Sequence, residues 1–541
     1  MKAIHPADQA VIGQALMFTA REMGAKLYRS AYSPIVRDGK DASTGLMDAT
    51  GAAVAQSDEL IPILVGSLSM TLRHCMALHP PQTLAEDDFY VTNHPYRGAH
   101  HLQDLFIFMP IHFEGRLVGF SAAVAHHLDV GGGAPGLNSS STDLFGEGLI
   151  IPPSKYNLHR DWNGGPFQTL FAANIRVPQQ TIGDIDSQFA ACLSGAARVK
   201  ELCAKYGAET VTAAMDGMIR YVERRVRAAV SAIPDGVYVG EDSVDDDGIT
   251  DQPLLVRATV TVAGDSLSVD FTGTCPQVKT HLNAPLASVV SATLAAVKAF
   301  TTGDDVPFNE GANNAVAIGA PEGCLLNPRF PAPVRARMEA TYRAHGAVLK
   351  ALCSAVPERA VAAGYDCTTA MCLSHLHEGR YQVFIELRDG GFGASQHADG
   401  CDAVAGALSN CTNVPVEAID ADYDYFRIDG YALRPGTGGA GRHRGGHGSA
   451  RSYRILRDGV RLTIYADRFR IAASGIAGGE PGALGYCEVM RGGQTIRVRS
   501  KDDMMLQAGD VVTLATGGGG GYGDASARGA ASSAQDAALA R

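Results

Sequence analysis

Two histidine pairs bracket two apolar runs, and this arrangement constrains the fold of the chain more tightly than any other feature in it. GAHHLQD (98–104) leads into LFIFMPIHF, RLVGFSAAVA leads into AHHLDVGG (125–132), and Glu114-Gly115 separates the runs. Runs rich in β-branched and aromatic residues on either side of such a dipeptide predict a β-hairpin. A two-residue turn at 114–115 makes the numbers of facing residues sum to 229, so Asp104 faces Ala125 and both histidine pairs fall at one end of the hairpin. Side chains alternate faces along a strand. In strict register His127 shares the face of Asp104 and His126 does not; a bulge at Pro110 or a three-residue turn reverses that parity. The pattern leaves both histidines open. Pro110, lacking an N–H, predicts an edge strand or a bulge.

Within about thirty residues this stretch offers His100, His101, Asp104, His126, His127 and Asp129. Imidazole nitrogens combined with carboxylate oxygens suit Zn, Mn, Fe or Co better than Ca or Mg. A lone His-His pair is ordinarily a hydrogen-bonded or surface pair. Two pairs at one end of a hairpin, with aspartates and a glycine-rich turn beside them, predict a site for a divalent transition metal.

Elsewhere apolar residues recur at helical spacing over 9–30 (Ile12, Leu16, Met23, Leu27), 62–78, twice within 184–232, over 284–301 and over 335–364. Short β-like runs alternate with turns over 236–275, 139–160 reads as loop, and 380–520 reads as short strands between glycine turns. The expectation is a multidomain α+β chain with a β-rich C-terminal third: 1–235 carrying the metal site, 236–370 of mixed type, 371–524 β-rich, and a flexible tail at 525–541. The 62 glycines cluster at 131–136, 389–393, 436–448 and 517–523. Such clusters mark loops where backbone approaches closely, and their N–H groups are candidates to meet a developing oxyanion.

Bulk charge narrows the partners. A net charge of −11 without a Lys/Arg run excludes a nucleic-acid footprint. No run of about 18 apolar residues is present to span a membrane, and MKAIHPADQA lacks a signal-peptide core, so a cytoplasmic location is expected. The 11 cysteines include no CxxC pair and read as reduced, buried thiols.

The order of the motifs adds a resemblance. TNHPYRGAHHLQD (92–104), the segment from AHHLDVGGG to IIPPSKY (125–156), NIRVPQQTIGDIDSQ (174–188), NAPLASVVSA (283–292), GCLLNPRFPAPV (323–334), GGFGASQHADG (390–400), RPGTGGAGRHRGG (434–446) and GGGGGYGD (517–524) resemble successive blocks of the hydantoinase B/oxoprolinase family. The resemblance implies a B-type subunit that holds metal and substrate, working with an A-type hydantoinase subunit that binds ATP and Mg, in an A2B2-type hetero-oligomer. This chain has no GxxxxGK[ST] sequence of its own. The family's metal ligands correspond to Asp41, His101, Asp104 and His126, with His127 as the alternative to His126. Asp129 and His127 are the candidate catalytic groups, accepting a proton from the attacking water.

The implied reaction is ATP-dependent opening of a small cyclic amide of hydantoin, lactam or oxoproline type. The alternatives are an ATP-dependent ketone carboxylase and a non-catalytic scaffold of an ATPase complex. Three stretches depart from the family pattern and bear on which substrate is used. VRDGKDAST (36–44) stands where the family has ERRDFS, His94 replaces an acid in NDP, and His100 is added in GAHH.

Overall fold

The computed structural model describes residues 4–539, and its first strand system is built on the expected hairpin. Strands β1 (Ala42–Asp48), β2 (Ala53–Gln56), β3 (Asp88–Thr92), β4 (Asp104–Phe113), β5 (Arg116–His126) and β6 (Ser154–Asn157) form an antiparallel sheet in the order β2-β1-β5-β4-β3-β6. Both faces of this sheet are buried, which is why β4 is a continuous apolar run instead of an alternating one. Leu105, Ile107, Met109 and Ile111 pack with Ile12, Leu16 and Met23 of the Pro6–Ser30 helix and with Ile185 and Phe189 of the Pro178–Tyr206 helix. Phe106 and Phe108 face the other way, toward Leu68 and Leu72 of the Leu68–Leu78 helix. Burial of each such side chain contributes roughly 1.5–3 kcal/mol.

Two local expectations change here. β4 is an interior strand, so Pro110 marks no sheet edge; it lies beyond Phe106–Phe108, the stretch that pairs with β3. Part of the expected loop at 139–160 is β6, which pairs with β3 at the sheet edge; four residues are too few to show a period in the sequence.

The second strand system comprises β7 (Gly236–Val244), β8 (Leu254–Ala263) and β9 (Ser266–Asp270), an antiparallel meander joined in parallel by β10 (Val316–Gly319). It carries the Arg337–Ala355 helix on one face, and Gly240 lets that helix approach: a Cβ there would lie 2.0 Å from Ala347 O. The β-rich C-terminal third holds two sheets. One is formed by β11 (Ala370–His377), β12 (Arg380–Leu387), β15 (Val460–Tyr465) and β18 (Lys501–Leu506). The other is formed by β13 (Phe426–Arg434), β14 (Gly448–Ile455), β16 (Tyr486–Arg491), β17 (Gln494–Val498) and β19 (Val511–Ala515). Leu373, Phe384, Tyr453, Leu462 and Val512 share the core between them. The chain is thus α+β with several strand systems, and the division at 235 and 370 is a proposal that follows them.

The glycine clusters of the C-terminal third have a packing role. Gly391 N–H donates to Gly517 O, Gly446 N–H to Phe392 O, Gly519 N–H to Gly446 O and Gly439 N–H to Gly519 O, at 2.8–3.0 Å. The loops stack backbone on backbone. A Cβ on Gly519 would sit 2.0 Å from Phe392 O, closer than any side chain tolerates. The N–H groups of Gly391, Gly439, Gly446 and Gly519 are taken up by this stacking, so at these positions the close approach expected from the sequence is loop on loop. Within the tail, Arg528 bridges Asp399 and Asp536, and Ala530–Leu539 is helical; residues 540 and 541 of that segment lie outside the described residues. Among the described residues no helix is long and apolar enough to cross a membrane.

Candidate metal centre

The hairpin register decides between the two histidines. From Phe113↔Arg116 and His112↔Leu117 the partners jump to Ile111↔Gly119 and then run without a break to Asp104↔His126. The extra residue is Val118 on β5, a bulge close to the turn and not at Pro110. One added residue reverses the parity of everything beyond it. His126 therefore shares the face of Asp104, while His127 turns to the other side.

Three ligand-type atoms converge at the end of this hairpin. His101 Nε2 lies 3.0 Å from Asp104 Oδ1 and 3.1 Å from His126 Nδ1, and His126 Nδ1 lies 3.4 Å from Asp104 Oδ1. Among the described residues these three form a metal-capable group whose atoms all lie within 4.8 Å of one another, and all three are buried. Asp41 stands at the rim, its Oδ2 3.9 Å from His126 Nδ1. It precedes β1, which pairs with β5 through Ala42↔Ala125, and its carbonyl accepts the His126 N–H at 3.0 Å. The end of the hairpin thus brings His101, Asp104 and His126 together, with Asp41 beside them.

Surrounding groups set the charge states. His101 Nδ1 lies 2.9 Å from Arg335 O, an atom that can only accept, so Nδ1 carries the proton and Nε2 presents a lone pair. Burial, reinforced by Arg337, lowers the His101 pKa to about 3 and keeps the ring neutral at pH 7. Burial opposes charge on Asp104, but the Arg337 guanidinium beside it helps hold its carboxyl well below the usual range. Arg337 Nη2 donates to Asp104 Oδ2 at 2.7 Å. Burial raises Asp41 to about 6, opposed by His126 and aided by Asp104. A neutral imidazole lone pair is therefore aimed at a carboxylate oxygen, an acceptor facing an acceptor. A cation between them resolves that repulsion, and the N,N,O donor set fits a divalent transition metal.

The other sequence candidates sit elsewhere. His127, fully buried, meets Gln188 Oε1 at 3.1 Å on the helix side of the sheet, and burial takes its pKa down to about 4. Asp129 is held by Arg176, through the side-chain Nη1 at 2.9 Å and the backbone N–H at 2.7 Å. Neither lines the cavity that contains Asp41, His101 and His126. The expectation that they act on an attacking water is corrected on geometry: one faces away from the cavity and the other is consumed by an ion pair. His100 spans Ser67 Oγ and Ser288 Oγ at 2.7 and 2.8 Å and is structural.

The cavity is mainly apolar, with Ile61, Ile63, Leu137, Ile385 and Leu387 on its walls. Its polar groups include Arg335, Arg337, Glu339 and Tyr465, contributed by the helix start and the C-terminal third. Sequence reasoning missed the first three. The only local signal is the alternation Arg335-Ala336-Arg337-Met338-Glu339 directly after the Pro-rich 323–334 block.

A profile of the family described as hydantoinase B/oxoprolinase matches residues 5–525. The chain belongs to that family. It is 32% identical over 542 residues to a candidate B-type subunit of a D-/L-hydantoinase from Pseudomonas sp. strain NS671, covering 97% of this chain and 91% of that protein. The crystal structure of the ATP-dependent caprolactamase from Pseudomonas jessenii superposes with a TM-score of 0.90 at 25% identity, covering 99% of this chain and 94% of that one. Nucleotide-free acetone carboxylase shares the fold, with a TM-score of 0.87 at 19% identity over 98% of this chain and 77% of that one.

Proposed function

We propose that this chain is the metal-carrying catalytic subunit of an ATP-dependent cyclic amide hydrolase, opening hydantoin-, lactam- or oxoproline-type rings. The observation that carries this reading is the convergence of His101, Asp104 and His126 at the wall of an apolar cavity. Family membership and the similarity to a B-type hydantoinase chain and a caprolactamase support it. His101, Asp104 and His126, with Asp41 at the rim, would hold Zn or Mn, or else Fe or Co. When bound, such an ion supplies Lewis acidity, polarising an oxygen and lowering the pKa of water.

The chain's own residues do the rest. Ile61, Ile63, Leu137, Ile385 and Leu387 receive the methylenes of a small ring and exclude bulk water. Arg337 keeps Asp104 ionised, and Arg335 O fixes the His101 tautomer. Amide resonance makes such rings inert, so activation has to come from elsewhere. An A-type partner with bound ATP and Mg would phosphorylate the amide oxygen, in an A2B2-type complex in the cytoplasm.

The test is ATP turnover by the complex of this chain with its A-type partner on a panel of hydantoins, lactams and oxoproline. Ring-dependent ADP release with ring-opened product supports the reading. Bicarbonate-dependent turnover on ketones would replace it with a carboxylase, and full activity of a metal-free complex would sink the metal's role.

A further inference from the structure

Breaking a ring amide needs a proton at the departing nitrogen, because an amide anion is too basic to leave. The cavity's groups can be taken in turn. Asp41, His101 and His126 belong to the metal cluster, and Arg335 and Arg337 are fixed cations. The Tyr465 hydroxyl accepts the Asn138 N–H, and burial lifts its pKa far above the working range of an acid. Glu339 remains.

Glu339 occupies the first turn of the Arg337–Ala355 helix, is 1% exposed, and its Oε2 has no hydrogen-bond partner among the described residues. That is unlike other buried glutamates of this chain. Glu147 accepts the N–H groups of Val334 and Arg335 at 3.1 and 2.9 Å, and Glu386 is held by Arg451 and Tyr453. An unpartnered buried polar atom is costly, and of the buried carboxylates with an open oxygen, which include Asp184, Asp389 and Asp467, Glu339 is the one that lines this cavity.

The charged groups facing Glu339 are Asp467 two residues beyond β15, Lys501 on β18 and Arg343 one turn along its own helix, with the Cys367 thiol and the Tyr365 phenol also near. The cations are engaged elsewhere. Lys501 Nζ pairs with Asp467 at 3.1 Å, and Arg343 approaches Asp242 and Asp467 at 3.4 and 3.9 Å. Burial first, then repulsion from Asp467, raises the Glu339 pKa against the pull of Lys501 and Arg343.

We propose that Glu339 is the general acid of this cavity, delivering a proton to the ring nitrogen as the C–N bond breaks. The proposal rests on the cyclic amide reading above. In the step, water adds across the C=N bond of the O-phosphorylated amide: its oxygen bonds to the ring carbon, and the π pair and one water proton go to nitrogen. The C–N σ pair then goes to nitrogen, the Glu339 proton bonds to it, and the second water proton, released as the new hydroxyl becomes C=O, returns to the Glu339 carboxylate. The phosphoryl group stays on the former carbonyl oxygen, leaving a ring-opened acyl phosphate, and the step neither consumes nor releases a net proton.

The test uses the hetero-complex with wild-type chain and with Glu339→Gln, which keeps shape and removes the proton. Each is assayed on a ring amide and on the lactone of the same ring, whose oxygen leaves without prior protonation. We expect kcat on the amide to fall by about 10²–10⁴-fold, KM to change little, the lactone to be spared by at least about tenfold relative to the amide, and metal content to stay at the wild-type value. An infrared difference between the two proteins at neutral pH should show one protonated carboxyl missing from the variant. Equal losses on amide and lactone, or no carboxyl difference, would overturn the proposal and leave Glu339 a structural group. If the wild-type complex opens no ring at all, the cyclic amide reading fails first and the role of Glu339 falls with it.

Discussion

Replacing Arg337 by Met tests the electrostatics of the centre. Arg337 and Asp104 meet at 2.7 Å with side chains 5% and 1% exposed, so neither charge is relieved by solvent. Removing one partner of a buried pair costs about 3–5 kcal/mol, because the other charge is left uncompensated. In the metal-loaded protein the dication takes over as the counter-charge of Asp104, and the remaining loss is a packing change of about 1 kcal/mol. The assay is thermal unfolding of wild type and Arg337→Met, each metal-free and metal-loaded, compared as midpoints because a chain of several strand systems need not unfold in two states. The metal-free variant should show at least about twice the midpoint loss of the loaded one.

The pH arm of that experiment follows from the sign of the shift. Asp104 is depressed in the folded state, so its contribution is present above its unfolded pKa and is lost as pH falls through the folded value. Without Arg337 the folded value rises, and the stability advantage of wild type over variant should shrink on acidification below about pH 4. Equal losses with and without metal would refute the claim that Asp104 faces a metal.

Three further outcomes follow. His127→Gln and Asp129→Asn should leave metal content unchanged and cost stability by about 1–3 kcal/mol through their lost partners Gln188 and Arg176, read by elemental analysis and unfolding. His126→Gln, one residue away, should release the metal in the same analysis. Gly519→Ala should destabilise the C-terminal third by about 1–3 kcal/mol or more, since its Cβ meets Phe392 O at 2.0 Å, with the metal-dependent part of the unfolding signal less affected.

The residues of the centre were legible in the sequence to different depths. The hairpin and the ligand types could be read from residues 98–132 alone, since alternation and turn chemistry are local. The choice of His126 turned on Val118, an apolar residue in an apolar run that carries no mark of a bulge. Asp41 came from the family resemblance, as its place beside His126 depends on β1 pairing with β5 across about eighty residues. Arg337 and Glu339 were out of reach because they meet the centre only through the packing of the helix start against the first sheet, more than two hundred residues along the chain. The glycine clusters mark close backbone approach in the sequence itself, but whether the approaching partner is a ligand or another loop is a tertiary fact.

The most direct test of the account is the metal content of the complex purified with its A-type partner, wild type against His101→Ala. About one transition metal per chain is expected in wild type, and it should be lost together with ring-opening activity in the variant. A fully active wild-type complex without metal, or a His101→Ala variant that retains its metal, would contradict it.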